Sequence, residues 1–399
     1  MNILVLGGDG YLGWPTSMHF ASRGHEVLAV DNYLRRTIAR QTDSEALIPT
    51  PNLQKRAKIF EAVSGHEVQV EIGDCTNYRF MERIFSEFQP DAVVHYAEQP
   101  SAPYSMIGYE EARETLNNNL NATLNVIHAV KEHVPDCHII KLGTMGEYGT
   151  PDIDIPEGWI EIEHNGRSDE FLFPRQTGSL YHTTKIMDTD LLWFYVRMND
   201  LRVTDLMQGP VYGLSTPEAD MDDRLVPNFH YDDIFGTCVN RFLVQAVAGV
   251  PLTVYGKGGQ VRGYLNLNDT LQCVELAAEN PVDPGDLRIL NQFTETFSVN
   301  ELADQVQRVG NEIGLGVKVE SIPNPRKEPE DHHYNPEHSG LMELGLEPHY
   351  MTDEVVADML EQVIKYEDHI DEDKIMPRVS WNEEAEAARK DGRDGELKN

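Results

Sequence analysis

The sequence predicts an α/β protein built on a Rossmann-like, doubly wound parallel sheet, with a smaller C-terminal α/β domain. Three observations predict it. The apolar run at residues 2–6 passes straight into Gly7-Gly8-Asp9-Gly10-Tyr11-Leu12-Gly13. Apolar strand-like runs then alternate with helical stretches as far as residue 208, the pattern of a parallel sheet with crossover helices. Tyr181 and Lys185, four residues apart, open the last of these helical stretches.

Residues 2–6 read as a buried parallel strand, followed by a helix over 14–23 and a second strand over 26–30 that ends at Asp31, a βαβ unit. Further strands are expected at 68–72, 92–95, 137–142 and 202–206, with helices near 77–88, 110–134 and 181–199. The segment 150–180 is rich in Pro, Gly and charge and is too long for an ordinary connection. It is expected to be an active-site loop covering substrate. Beyond Gly209 the pattern loosens through 217–228 and 252–263, then gives a helix after Ser298 and another over 353–366. The expected division is a nucleotide-binding domain over 1–208, a substrate domain over 209–375 partly interleaved with it, and a charged, solvated tail over 382–399.

A chain of 399 residues with 40% hydrophobic content fills a substantial core. Its formal charge of −34, from 67 acidic and 33 basic residues, excludes nucleic acid and anionic membrane surfaces as partners. Salt relieves such self-repulsion, since the screening length falls from about 10 Å at 0.1 M to about 3 Å at 1 M; a halophilic source is expected. Cys75, Cys137, Cys238 and Cys273 are scattered without metal-ligand spacing and read as reduced core thiols, so no metal is expected. The chain starts in a strand, leaving no room for a signal peptide, and has no apolar stretch of the roughly 20 residues that insertion into a membrane requires. A cytoplasmic protein is expected.

Gly7, Gly10 and Gly13 make the GxxGxxG spacing of short-chain dehydrogenase/reductases. The first glycine permits the tight turn, the second admits a pyrophosphate to the backbone, and the third lets helix pack on strand. With Asp9, Tyr11 and Leu12 they form the expected cofactor cradle. Asp31 stands where a carboxylate binds the adenosine ribose and repels a 2′-phosphate, which favours NAD over NADP, and Asn32 follows it. Arg35 and Arg36 soften that preference, since an arginine there accepts the phosphate. Asp74, after the third strand, is placed to meet the adenine amino group, and the stretch 95–99, ending at Gln99, is expected to border the ligands.

Tyr and Lys at i and i+4 share a helix face and are more often a packing pair than a catalytic one. Behind a glycine fingerprint the catalytic meaning prevails: Tyr181 is a general base whose phenolate is stabilised by the Lys185 ammonium. Thr144 is placed to hydrogen-bond the same substrate oxygen. Met145 follows it, and Glu147 and His182 add titratable groups that suggest proton chemistry beyond simple oxidation. A surface Glu147 and a core His182 remain open alternatives.

Long stretches carry a resemblance: GGDGYLGW (7–14), SAPYSM (101–106), KLGTMGEYGTP (141–151), LTVYGKGGQVRGYL (252–265), NQFTETFSVNELA (291–303) and LMELGLEPHY (341–350). Over nearly its whole length, to about Trp381, the chain resembles the UDP-sulfoquinovose synthases, within the NAD-dependent epimerase/dehydratase group of extended short-chain dehydrogenase/reductases. TMGEYG differs from the T-D-E-x-Y-G of nucleotide-sugar 4,6-dehydratases: Met145 and Gly146 take the places of their acid and base, and Glu147 comes one residue later.

The resemblance implies UDP-glucose and sulfite as substrates, a tightly held NAD, and UDP-6-sulfoquinovose as product. Tyr181, Lys185 and Thr144 would serve oxidation at C4, Glu147 and His182 loss of water across C5 and C6, and sulfite would add to the resulting alkene before C4 is reduced again. For the UDP half it implies Gln99, Gln208, Asn240, Arg241, Gln260, a uracil-contacting strand at Val254-Tyr255, diphosphate-binding Arg262 and Arg326, and Glu328 or Glu330 on the ribose. Surface ion pairing is the alternative reading of Arg241 and Arg262. One departure stands out: Pro100 replaces the arginine that plant members carry in the same stretch, with Arg175 the expected substitute. A homodimer through the helices near 110–130 and 181–199 is implied by analogy. The competing activity is that of a UDP-sugar 4-epimerase or 4,6-dehydratase.

Overall fold

A computed structural model describes residues 1–44, 46–329 and 332–382. Seven parallel strands form the main sheet: β1 (Asn2–Leu6), β2 (Glu26–Asp31), β3 (Gln69–Ile72), β4 (Ala92–His95), β5 (His138–Thr144) and, later in the chain, two more. Between β5 and the sixth lies an antiparallel hairpin of β6 (Trp159–His164) and β7 (Arg167–Leu172). The sheet then resumes with β8 (Arg202–Gln208). Short strands β9 (Val211–Tyr212), β10 (Leu252–Tyr255) and β11 (Val261–Asn266) precede its last member, β12 (Leu287–Gln292), and β13 (Glu295–Ser298) and β14 (Val319–Ile322) follow. The order is β3-β2-β1-β4-β5-β8-β12. Direction of progression reverses between β1 and β4, and at such a switch point the carboxyl ends of the strands open a crevice.

The alternation of a strand places successive side chains on opposite faces. Leu4, Leu6, Leu28, Val30 and Val93 pack on one face, Ile3, Val5, Val27, Ala29 and Val94 on the other. Helices flank both: α1 (Gly13–Ser22), α2 (Leu34–Gln41), α3 (Leu53–Ser64), α4 (Tyr78–Phe88), α5 (Tyr109–His133) and α6 (Leu180–Asn199). The smaller lobe is built from α7 (Cys238–Ala248), α9 (Val299–Glu312) and α11 (Asp353–Ile364), which pack against β10 and one another around Phe242, Leu302 and Leu360. Between them, α8 (Leu267–Glu279) and β12 return to the main sheet, and the short α10 (Gly340–Glu343) lies against β12.

Two features depart from the sequence expectation. Helices α2 and α3 intervene between β2 and β3, where no element was expected; β12 joins the main sheet from within 209–375, the span expected to interleave with the first domain. The segment 150–180 is not a lid: its middle forms the β6–β7 hairpin, anchored by Trp159 against Trp193 at 5.0 Å, and only Thr150 and residues 176–179 of it reach the main cavity. Trp159, Ile160 and Leu172 of the hairpin pack against the core of the main sheet, and no hairpin residue lines the cavity. Most of the predicted tail, 383–399, lies outside the described residues.

Gly7 has φ +87°, and a Cβ there would sit 2.8 Å from the Tyr96 backbone; a Cβ on Gly13 would collide with the Gly7 carbonyl oxygen. The turn therefore needs glycine at both places, once for backbone conformation and once for helix–strand approach. Gly13→Ala is expected to cost about 1–3 kcal/mol of stability by overpacking, measured by denaturant titration, and to reduce the nucleotide retained through purification.

Candidate active site

One cavity of about 730 Å³ runs across the carboxyl ends of the strands, from the glycine turn past Tyr181 to Arg241 and Arg326 in the smaller lobe. Its first end is lined by Gly7, Asp9, Gly10, Tyr11, Leu12, Gly13, Asp31, Asn32, Arg35 and Asp74, the predicted cradle. Asp31 accepts backbone hydrogen bonds from Asp9 at 2.9 Å and Tyr33 at 2.6 Å. Burial and then the Asp9 carboxylate push its carboxyl up to about 6. Asp74 caps its own turn through Thr76 at 2.8 Å.

Asp9 faces partly inward. Its carboxylate binds Arg36 at 2.5 Å and the fully buried Arg56 at 2.6 Å, and its carbonyl oxygen accepts from Asn228 at 2.7 Å. Arg36 is thereby drawn away from the cavity onto Asp9, Thr50 and Pro51, which corrects its assignment to the cofactor. Arg35 remains on the cavity wall, with its guanidinium 4.9 Å from the Phe235 ring. Sequence reasoning missed Arg56 and Asn228, which stand 47 and 219 residues from Asp9.

At the centre, Ser179 caps α6 by accepting from His182 N, and Ser105 accepts from Tyr181 N at 3.1 Å. The first turn of α6, which carries Tyr181 and His182, is fixed from two sides. Lys185 sits one turn deeper and binds Glu98 at 2.5 Å. Burial, followed by the Glu98 and Glu147 carboxylates, holds the Tyr181 phenol above its ordinary value. Burial pulls Lys185 down, but Glu98 and Asp188 outweigh it and leave it raised.

Glu147 does not reach the cavity and is fully buried. Thr144 and Glu147 form a capping box, the local consequence of the T-x-x-E spacing, which folds the carboxylate back beneath the strand end. There it meets Lys141 at 3.4 Å and Arg175 at 3.1 Å, while Lys141 also binds Asp205 at 3.1 Å and Thr189 at 2.7 Å. Removing one partner of such a pair costs about 3–5 kcal/mol, so the network's role is structural. The expected proton-transfer role of Glu147 is thus corrected to support of Thr144. Arg175 is held by Glu147 and Asp190 and does not line the cavity, so it does not take the place vacated at Pro100.

His182 does line the cavity, with Thr144, Met145 and Gly146 opposite. Its Nδ1 lies 2.9 Å from Ser179 Oγ. A Cβ on residue 146 would collide with His182 Nε2, so glycine at this position makes room for the imidazole. Burial, then Arg326 and Arg262, push the ring down to about 3, so it is neutral near neutral pH.

The far end is lined by Gln208, Arg241, Tyr255, Gln260, Arg262, Arg326, Lys327 and Glu328. Arg262 is held by Glu328 and His332, each at 2.8 Å. Arg241 stacks at 4.0 Å on the Tyr255 ring and donates to Thr253 O, and neither it nor Arg326 has a carboxylate partner among the described residues. Three predicted contacts are not made. Gln99 is buried, bridging Ser101 and Thr115; Asn240 is turned onto His230 O; Val254 is a core residue of β10. Each lies off the cavity because its side of the element faces the core. Glu330 lies outside the described residues.

Residues 3–291 match the model of the NAD dependent epimerase/dehydratase family. The chloroplastic UDP-sulfoquinovose synthase of Spinacia oleracea is 47% identical over 95% of this chain and 79% of that protein. The UDP-sulfoquinovose synthase of Sulfolobus acidocaldarius is 45% identical over 96% of this chain and 98% of that protein. The fold is shared with UDP-glucose 4-epimerase from Bifidobacterium longum, solved with NAD+ and UDP, at a TM-score of 0.69 and 22% identity over 93% of this chain and 100% of that one. The chain belongs to the NAD dependent epimerase/dehydratase family. Within it, the sequence groups with the UDP-sulfoquinovose synthases, as the motif resemblance implied.

An ionised Asp31 carboxylate accepts from ribose hydroxyls through both oxygens, whereas protonation turns one of them into a donor. With its carboxyl raised to about 6, the full set of acceptors is present above that pH and reduced below it. NAD affinity is expected to weaken as pH falls through about 6, and Asp31→Asn to remove that dependence, both read by calorimetric titration.

Proposed function

We propose that this chain converts UDP-glucose and sulfite to UDP-6-sulfoquinovose, forming a carbon–sulfur bond with no net redox change. The observation that carries this reading is the cavity wall beside Thr144. Met145 and Gly146 stand there with His182 across from them, and the Glu147 carboxylate is sequestered below. A 4,6-dehydratase-like acid and base are missing from those positions, while a neutral imidazole is present.

The glycine turn with Asp31, Asn32 and Asp74 fits NAD: the backbone is open at the glycines and a carboxylate stands at the end of β2. NAD held by these residues would supply oxidation and re-reduction at C4. Tyr181 takes the O4 proton, with Thr144 Oγ1 aligning the same oxygen and Lys185 stabilising the phenolate. Once C4 is a ketone, the C5 proton is acidic. His182 is placed for it: its Nδ1 lies 2.9 Å from Ser179 Oγ, and with Nδ1–H donating to that oxygen the Nε2 beside Gly146 is left as the acceptor. Nε2 accepts the C5 proton, and the imidazolium returns it to O6, which leaves as water. One group serves both transfers. The sulfur of bisulfite then bonds to C6 of the alkene while its proton passes to C5, and C4 is reduced as the Tyr181 proton returns to O4.

The diphosphate is assigned to Arg241 and Arg326, which have no carboxylate partner among the described residues and suit a bidentate anion in so acidic a chain, together with Arg262, which Glu328 holds at the same end. A homodimer is supported by Met187, Phe194 and Met198, exposed 41%, 49% and 57%, which form a stripe at i, i+7 and i+11 on α6. The charge of −34 supports a salt-rich cytoplasm as its compartment.

Mass spectrometry of the protein incubated in high salt with UDP-glucose, with and without sulfite, tests the reading. A sulfite-dependent UDP-sugar sulfonate is expected; an isomer of unchanged mass, or a water-loss product indifferent to sulfite, overturns it in favour of the epimerase or dehydratase. His182→Asn is expected to lower sulfonate formation by about 10²–10⁴-fold while UDP-glucose still elicits reduced-nicotinamide absorbance.

A further inference from the structure

The turn after β4 brings one more carboxylate to α6. Glu98 N donates to Tyr96 O at 2.7 Å, and the next residue is clamped to α5. Gln99 N donates to Asn119 Oδ1 at 2.8 Å, and Asn119 Nδ2 donates to Gln99 O at 3.2 Å and to Thr184 Oγ1 of α6 at 3.0 Å. The backbone that carries Glu98 is therefore fixed to the helix that carries Tyr181 and Lys185. From it the Glu98 side chain, 5% exposed, meets the Lys185 ammonium at 2.5 Å.

Two carboxyls compete for that ammonium. Asp188, buried one turn further along α6, makes no ion pair among the described residues, and burial followed by the Glu98 charge pushes its carboxyl well up. Glu98 is thus the ionised partner and Asp188 the protonated one. His95 of β4 lies 3.8 Å from the other Glu98 oxygen, and burial pushes its ring down to about 4, so it brings no charge at neutral pH. The remaining charges acting on Tyr181 belong to the Lys141 network, Glu147 raising the phenol and Lys141 lowering it. After burial, Glu98 does most to hold the phenol up.

We propose that Glu98 is a positioning residue for the tyrosine base: its carboxylate is the standing counter-ion that holds the Lys185 ammonium, and it sets the pH range over which Tyr181 exchanges a proton with O4. The inference rests on the reading in which C4 of a UDP-sugar is oxidised and then reduced again. In such a cycle one phenol has to take the O4 proton and later give it back, and a group serves both directions best when neither of its forms is strongly favoured at working pH. An unopposed ammonium beside Tyr181 would favour the phenolate and slow the return. A carboxylate on that ammonium offsets this.

Stopped-flow formation of reduced nicotinamide from UDP-glucose, by the full-length protein loaded with NAD and without sulfite, tests this as a function of pH. The wild-type rate is expected to rise with pH as Tyr181 loses its proton. Removing the carboxylate makes that loss easier, so in Glu98→Gln the rising limb is expected to move to lower pH by about one pH unit or more. In Asp188→Asn it is expected to stay where it is. Glu98→Asp keeps the charge but draws it back by one methylene; the limb is expected to move the same way by less, which covers a Gln variant that does not fold. A Glu98→Gln rate lowered by the same factor at every pH, with the limb unmoved, marks a packing role and overturns the inference. An equal movement in Asp188→Asn overturns it too, as does an unmoved limb in Glu98→Asp where the Gln variant does not fold. A wild type that gives no reduced nicotinamide at any pH sinks the UDP-glucose reading, and the inference with it.

Discussion

The Lys141 ammonium is the interaction on which the site depends. It is fully buried on β5 and binds Asp205 of β8, Thr189 and the Lys185 carbonyl of α6, and Glu147 after β5. Burial pulls Lys141 down, but the Asp205 and Glu147 carboxylates outweigh it and keep the lysine charged. One cation therefore locks together the strand that carries Thr144 and the helix that carries Tyr181 and Lys185. A buried ion pair adds little net stability against an apolar substitute, but it is strongly directional, and removing any one partner leaves a charge stranded. Positioning is what it contributes here.

A second economy concerns the distribution of charge. In a chain with 67 acidic residues, most arginines find a carboxylate, as Arg56 and Arg36 do at Asp9 and Arg23 at Glu218 and Glu275. Among the described residues Arg241 and Arg326 do not; they stack on Tyr255 and Trp381 on the cavity wall. Cationic character is concentrated where a diphosphate is assigned, and its cost in an empty site is reduced by aromatic faces. Arg326 and Arg262, after burial, depress His182 and keep its imidazole neutral, so the far end of the cavity tunes the chemistry at its centre.

Much of this was legible in the residues. The glycine turn, β1, β2, Asp31 and the Tyr181–Lys185 pair lie close to their sequence-predicted bounds, because hydrophobic period and turn chemistry are short-range signals. The capping box at Thr144–Glu147 was equally local, since T-x-x-E is visible in TMGE, and reading it would have removed Glu147 from the list of proton-transfer groups. Helices α2 and α3 were missed because α2 is short and polar and α3 follows a Pro-rich turn at Pro49 and Pro51, which weakens the helical period. Gln99, Asn240 and Val254 belong to stretches that approach the cavity, but the face each presents depends on how its element docks.

By itself the sequence determined the class of fold, the dinucleotide cradle and the tyrosine–lysine pair, because each is encoded within a dozen or so neighbouring residues whose backbone geometry needs no distant partner. Only the tertiary structure decided who neutralises whom. Glu98 meets Lys185 across 87 residues and Asp9 meets Arg56 across 47, and the segment at 374–382 returns to lay Trp381 against Arg326. Which carboxylate is a reactant and which a buried counter-ion is set by solvent access and by the nearest opposite charge, and both come into being only when the elements pack.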